Sequence, residues 1–233
     1  MNTDRFWEHF EAMFPPARRA TPSWLYANTV TRRLLDPSPG VAGMSSIRKL
    51  KLLRLAFSCL DSGEGYLEIG TFQGKSLIAA LKGNPPHPAF ACDNFSEFTL
   101  RNSEATLMKH LRRYGFDRQV TFFNADFRSV LDRQHIPIPI GLYLYDGAHD
   151  DQSQYDGIRC AEPLLADEAL VIVDDWRFAP DSQSYARAAT LRAATDSPHR
   201  WELLCELPAR FNGDRALWWN GIGVLSFKRA LNV

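Results

Sequence analysis

The chain has 233 residues, 45% hydrophobic and 23% charged, a length and mixture that suit one large folded domain and exclude general disorder. Its 27 lysines and arginines equal its 27 aspartates and glutamates, so no net field gathers a polyanion and no nucleic-acid partner is expected. No apolar run reaches the roughly 18 residues that cross a bilayer, the first residues lack the apolar stretch of a secretory signal, and Cys59, Cys92, Cys160 and Cys205 stand alone. A soluble cytoplasmic protein is expected, with no membrane partner, zinc site or disulfide frame.

The first fifty residues are helical in pattern and rich in aromatics: Phe6, Trp7, Phe10, Phe14, Trp24 and Tyr26. Pro15-Pro16 and the cluster Pro37–Gly40 cut it into short pieces. Such a surface suits self-association into a homo-oligomer. Ser45-Ser46 then caps an amphipathic helix that runs to about Cys59 and ends near Gly63. Ile47, Leu50, Leu53 and Phe57 form its apolar side, so Arg48, Lys49, Lys51 and Arg54 read as its solvated face. Residues 1–63 are expected to form a helical cap, and 64–233 the main domain.

From Gly65 the texture changes. Apolar runs at Tyr66–Ile69, Ala89–Cys92, Val120–Phe123, Ile140–Tyr145 and Ala169–Val173 precede helical stretches at Ser76–Lys82, Glu97–Tyr114, Arg128–Gln134, Gln152–Leu165 and Ser182–Ala194. Strand followed by helix, repeated, predicts a parallel sheet with helices on both faces. Leu170–Val173, apolar throughout, reads as a central strand. Trp201–Leu207 and Gly221–Phe227 lie either side of the loop-like Asn212-Gly213-Asp214 and predict an antiparallel final pair.

The strand-to-helix turn Tyr66–Leu77 reads YLEIGTFQGKSL. Its glycines let the backbone approach a ligand closely, and the following helix N-terminus favours a negative group. The spacing is G-x-x-x-G, unlike the dinucleotide turn G-x-G-x-x-G. Lys75-Ser76 does not complete a phosphate-binding loop either, because the first glycine of that motif falls on Ile69. The second strand ends at Asp93, about twenty residues further on, where an acid can accept both hydroxyls of a ribose. The third ends at Asp126, which either reaches an adenine amino group or caps the next helix.

These residues, in this order, resemble the class I methyltransferases that use S-adenosylmethionine, over roughly Gly65 to Phe227. The resemblance implies a Rossmann-like, doubly wound α/β fold with a mostly parallel seven-stranded sheet and an antiparallel last pair. It implies cofactor contacts from Glu68, Gly70, Thr71, Phe72, Gly74 and Ser76 at the turn. Asp93 and Asn94 follow on the ribose side and Asp126 and Phe127 at the adenine, and Asp146 completes the set.

A second group of residues bears on the acceptor. The fourth strand runs into Asp146-Gly147-Ala148-His149 and the fifth into Asp174-Asp175-Trp176, both on the same edge of a parallel sheet. Asp146, Asp174 and Asp175 together repel unless protonated or neutralised by a cation, and oxygen ligands of this kind suit Mg²⁺. Asp174 follows Asp146 by 28 positions (174 − 146), a spacing similar to the metal site of catechol O-methyltransferases and of bacterial sugar O-methyltransferases that tailor antibiotics. The all-aspartate set is closer to the sugar branch. The catechol enzymes place a lysine base where this chain has His149; a neutral imidazole suits the same task near pH 7, and Asp146 is the other candidate.

The expected activity is therefore methyl transfer from S-adenosylmethionine to a hydroxyl of a small molecule, a sugar or phenol, assisted by Mg²⁺. Trp176, Phe178 and the N-terminal aromatics are candidate walls of the acceptor site, with core packing as their other role. A metal-independent methyltransferase, a nicotinamide-linked oxidoreductase and a non-catalytic nucleotide-binding module on the same fold are the alternative readings.

Overall fold

The computed structural model describes residues 1–97, 102–176 and 186–230. Helices α1 (Thr3–Met13), α2 (Pro16–Arg19), α3 (Trp24–Ala27), α4 (Thr29–Leu35) and α5 (Ile47–Phe57) precede the sheet. Strands β1 (Gly65–Ile69), β2 (Ala89–Cys92), β3 (Val120–Phe123), β4 (Ile140–Tyr145) and β5 (Leu165–Val173) follow, joined by α6 (Lys75–Leu81), α7 (Ser103–Tyr114) and α8 (Asp151–Ala161). Then come α9 (Ala186–Thr195), β6 (Arg200–Leu207) and β7 (Ile222–Lys228). Phe178 and the expected helix start at Ser182 lie outside the described residues, as do residues 98–101.

The seven strands lie in the order β3-β2-β1-β4-β5-β7-β6. The first five run parallel, and β7 is antiparallel to both β5 and β6. Alternation along each strand sends side chains to two cores. Tyr66, Ala91, Leu142, Leu144, Leu170, Ile172 and Val224 meet Phe6, Phe10, Leu52, Leu53, Leu77 and Leu107 on one face. Leu67, Ile69, Tyr143, Tyr145, Val171, Val173 and Leu225 meet Ile158, Ala161, Ala186 and Ala193 on the other. The N-terminal aromatics Phe6, Phe10 and Phe14 thus belong to the first core.

Several boundaries differ from expectation. The predicted helix Arg128–Gln134 is only a 3-10 turn, Phe127–Ser129. Asp126 captures the Arg128 N–H and Asp132 those of Gln134 and His135, so side-chain caps replace helical hydrogen bonds. Strand β5 begins earlier than predicted, at Leu165, because a turn containing Pro163 ends the preceding helical stretch. The larger correction is α5. Ser46 caps it, accepting from Lys49 N at 3.2 Å, but Arg48 and Lys49 are buried along with its apolar residues. Arg48 donates to Arg18 O at 2.8 Å and Thr21 O at 2.7 Å, tying the N-terminal segment to α5. No helix among the described residues is long and apolar enough to cross a membrane.

Candidate active site

Backbone register collects the strand-end residues. Ile69 lies beside Cys92 and Tyr145, Tyr145 beside Val173, and Cys92 beside Phe123. The ladder continues one step beyond: Gly70 N donates to Cys92 O, Asp93 N to Phe123 O, Asp146 N to Ile69 O and Asp174 N to Tyr145 O. Gly70, Asp93, Asp146 and Asp174 therefore share one edge, where parallel sheets bind ligands. A cleft of about 390 Å³ opens there, within the range of small-molecule sites. Of the residues expected from sequence, Gly70, Thr71, Phe72, Ser76, Asp93, Asn94, Asp126, Phe127, Asp146, His149, Asp174 and Asp175 line it.

Glu68 and Gly74 sit behind that lining. Glu68 is fully buried, accepting from Tyr66 Oη at 2.5 Å and Ser76 Oγ at 2.7 Å, and burial pushes its carboxyl up to about 7 against those bonds. Gly74 has φ +86° at the start of α6. At Gly70, with φ +84°, a Cβ would stand 1.7 Å from Asp146 O, so only glycine lets the first turn pass beneath the fourth strand's end. Asp93 holds the turn in place, accepting from Phe72 N and Phe95 N, each at 2.7 Å. Burial raises its carboxyl above the ordinary range despite these bonds. Asp126 caps the 3-10 turn through Arg128 N at 2.8 Å while also facing the cleft.

Lys49 reaches into the cleft from α5. Its Nζ donates to Asp146 Oδ2 at 2.7 Å and to Asp174 Oδ2, and only 1% of its side chain is exposed. Burial opposes the charged ammonium, but the two carboxylates outweigh it and hold Lys49 above its usual pKa. Burial raises Asp146, reinforced by Asp174, and raises Asp174, opposed by Lys49. Removing one partner from such a buried cluster typically costs about 3–5 kcal/mol, because the charges left behind lose their compensation.

Asp175 points elsewhere. Its Oδ2 lies 3.0 Å from His149 Nε2, and its Oδ1 accepts from Asn220 Nδ2 at 2.5 Å. It adopts φ +51°, a left-handed conformation that costs a non-glycine residue of order 1 kcal/mol or more. Tyr145 steadies the intervening loop, donating to Ala148 O at 3.2 Å and Ser153 O at 2.9 Å. Trp219 and Asn220 enter the cleft from the β6–β7 connection, which is folded by paired backbone bonds between Asp214 and Trp219. Trp176 is instead buried, donating from Nε1 to Glu206 Oε1 at 2.6 Å, and takes the core role.

The turn fits an adenosyl cofactor: Thr71 Oγ1 is buried with no hydrogen-bond partner among the described residues, in a cleft walled by a glycine that admits no side chain. The acids fit Mg²⁺ poorly as they stand. Two of them enclose an ammonium and the third faces a histidine and an amide. No group of three His, Cys, Asp or Glu residues among the described residues is arranged to hold a metal ion.

Lys49, Trp219 and Asn220 were not expected at the site. For Lys49 the available signal was charge balance, since three strand-end acids call for a cation and a lysine is one. Trp219 and Asn220 had no local signal.

Residues 67–176 match the model of a family described as Methyltransferase domain. No curated protein matches the chain in sequence. Among solved structures it is similar to a cofactor-bound protein from MTB, with 20% identity, TM-score 0.60 and coverage of 90% of this chain and 91% of that one. An O-methyltransferase from Bacillus cereus, solved with SAH, shares 14% identity over 98% of this chain and 100% of that one, at TM-score 0.60. The O-methyltransferase TomG of Streptomyces achromogenes, involved in tomaymycin synthesis and solved with SAM, shares 19% identity over 98% and 97%, at TM-score 0.57. At these identities the likeness is one of fold. The match to a methyltransferase domain spans β1 to β5, and the seven-stranded sheet, with its antiparallel last strands, has the fold of class I methyltransferases.

Proposed function

We propose that the protein transfers a methyl group from S-adenosylmethionine to a hydroxyl of a small molecule. The observation that carries this reading is the pairing of His149 with Asp175 on the same cleft as Gly70, Thr71 and Asp93. When bound, the cofactor supplies a sulfonium methyl group whose C–S bond breaks as an acceptor oxygen attacks. Asp93 would receive the ribose hydroxyls, since each oxygen already bonded to a backbone N–H keeps a second lone pair. Thr71 Oγ1 and the backbone at Gly70 would meet the amino-acid end, and Asp126 and Phe127 the adenine.

With His149 Nε2–H donated to Asp175, Nδ1 is left as the ring's acceptor. An acidic residue that fixes tautomer and ring orientation is the arrangement that makes a histidine an effective base. As the new O–CH₃ bond forms, the hydroxyl proton passes to Nδ1. Asp146 suits that role less, because its Oδ2 is held by the Lys49 ammonium. Trp219 and Met44 border the acceptor space. Residues 1–63 act as a cap that delivers Lys49 and Met44 to the cleft, and a sugar or phenol acceptor would fit between them.

Isothermal calorimetry with S-adenosylhomocysteine tests the cofactor half. The protein should bind it, and Asp93→Ala should bind it on the order of tenfold or more weakly, about 1.4 kcal/mol. Equal affinity in both would put the ribose elsewhere. Binding of NAD(H) in place of S-adenosylhomocysteine would move the protein to the oxidoreductase reading.

A further inference from the structure

Three acids at one sheet edge require positive charge from somewhere. Asp146 keeps 22% of its side chain exposed to the cleft and Asp174 only 3%. Their Oδ2 atoms share one ammonium, delivered by α5 from the other side of the sequence. The α5 backbone leaves that ammonium little choice: Leu50, Leu52 and Leu53 around it are buried, and Ser46 anchors the helix start. Asp175 is drawn away by His149 and Asn220. The space in which a divalent ion would meet these carboxylates is therefore taken by a covalently attached cation. Asp174 Oδ1 is buried with no hydrogen-bond partner among the described residues, so the cluster retains an acceptor beside the cleft.

We propose that Lys49 is the resident cation of this site, holding Asp146 and Asp174 in place and facing the acceptor where a Mg²⁺ ion would otherwise stand. An ammonium is a point charge with three donors and does not chelate. With two of those donors spent on Asp146 and Asp174, it offers no seat for two neighbouring substrate oxygens, so the acceptor needs no vicinal oxygen pair. The acceptor clause rests on the methyltransferase reading; the cation assignment does not.

The test uses Mn²⁺ alone, a hard-oxygen-seeking stand-in for Mg²⁺, followed by electron paramagnetic resonance on the full chain without cofactor or acceptor. The wild-type protein should leave Mn²⁺ free in solution. Lys49→Met, which empties the cation position while keeping similar bulk, should bind Mn²⁺ on the order of tenfold or more tightly than wild type, and Asp174→Asn added to it should abolish that gain. Lys49→Arg keeps a cation and should exclude Mn²⁺ as wild type does. Melting curves with S-adenosylhomocysteine on the same samples report the cofactor pocket separately, so a failed methyltransferase reading and a failed cation assignment give different results. The wild-type measurement needs no variant to fold. Tight Mn²⁺ binding by wild-type protein that disappears in Asp174→Asn would overturn the assignment and return the position to a metal ion.

Discussion

His149 and Glu68 show how position decides what a titratable side chain does. His149 stands at the cleft with its ring fixed through Asp175. His149→Ala should lower methyl transfer on the order of 10²-fold, the scale of a positioned base. Its affinity for S-adenosylhomocysteine should stay unchanged, because the residue lies on the acceptor side. Turnover close to wild type would pass the role to solvent. Asp175→Asn should give a smaller loss, confined to kcat. Glu68 is sealed beneath the turn with a carboxyl pushed up to about 7, so the folded chain binds a proton that the unfolded chain has released by that pH. Stability should therefore fall as pH rises from the ordinary carboxylate range to about 7, by about 3 kcal/mol at most. Glu68→Gln should flatten that slope in urea unfolding measured across the interval, and an unaltered slope would place the titration in another group.

At the scale of elements, the loop that carries His149 depends on how α8 begins. Asp150 accepts from Ser153 N at 2.9 Å as the N-cap. Hydrogen bonds from Ser153 hold its carboxyl below the ordinary range. That contribution is present above the unfolded-state value and is lost as pH falls through the lower folded value. Asp150→Ala should cost about 1 kcal/mol, read as a lower urea midpoint near neutral pH, with the gap to wild type narrowing in acid. Because Ser153 O also anchors Tyr145 Oη, the same variant should raise KM for the acceptor more than it weakens cofactor binding. An undiminished midpoint would show that the first turn of α8 holds without its cap.

For the molecule as a whole, the cleft couples folding to ligand. It is assembled from β1, β2, β4 and β5, the N-terminal helix α5 and the β6–β7 connection, so occupancy clamps segments that are far apart in sequence. S-adenosylhomocysteine at a hundred times its Kd should stabilise the native state by about 2.7 kcal/mol, visible as a raised Tm. Lys49→Met should start from a lower Tm, since it leaves Asp146 and Asp174 buried without their counter-charge. A Tm equal to wild type would mean that the cluster contributes nothing net to folding.

The alternation of apolar strands and helical stretches, and the placing of Gly70, Asp93, Asp146 and Asp174 just past strand ends, were legible in the sequence. Both rest on local periodicity: a period of two sorts each strand between two cores, and parallel register then aligns the ends on one edge. The glycine turn after β1 and the His149 loop follow strand ends as well, and both lie on the cleft. Charge burial was not. By spacing alone Lys49 belongs to the wet face of α5, and its ammonium meets partners 97 and 125 positions away. Trp219 and Asn220 reach the cleft only because β7 turns antiparallel against β5. Periodicity states which face of an element is apolar, whereas the cost of burying a charge depends on which groups the tertiary fold brings opposite it. That cost is offset here by carboxylates from two other strands, which is why Lys49 stands buried between Asp146 and Asp174.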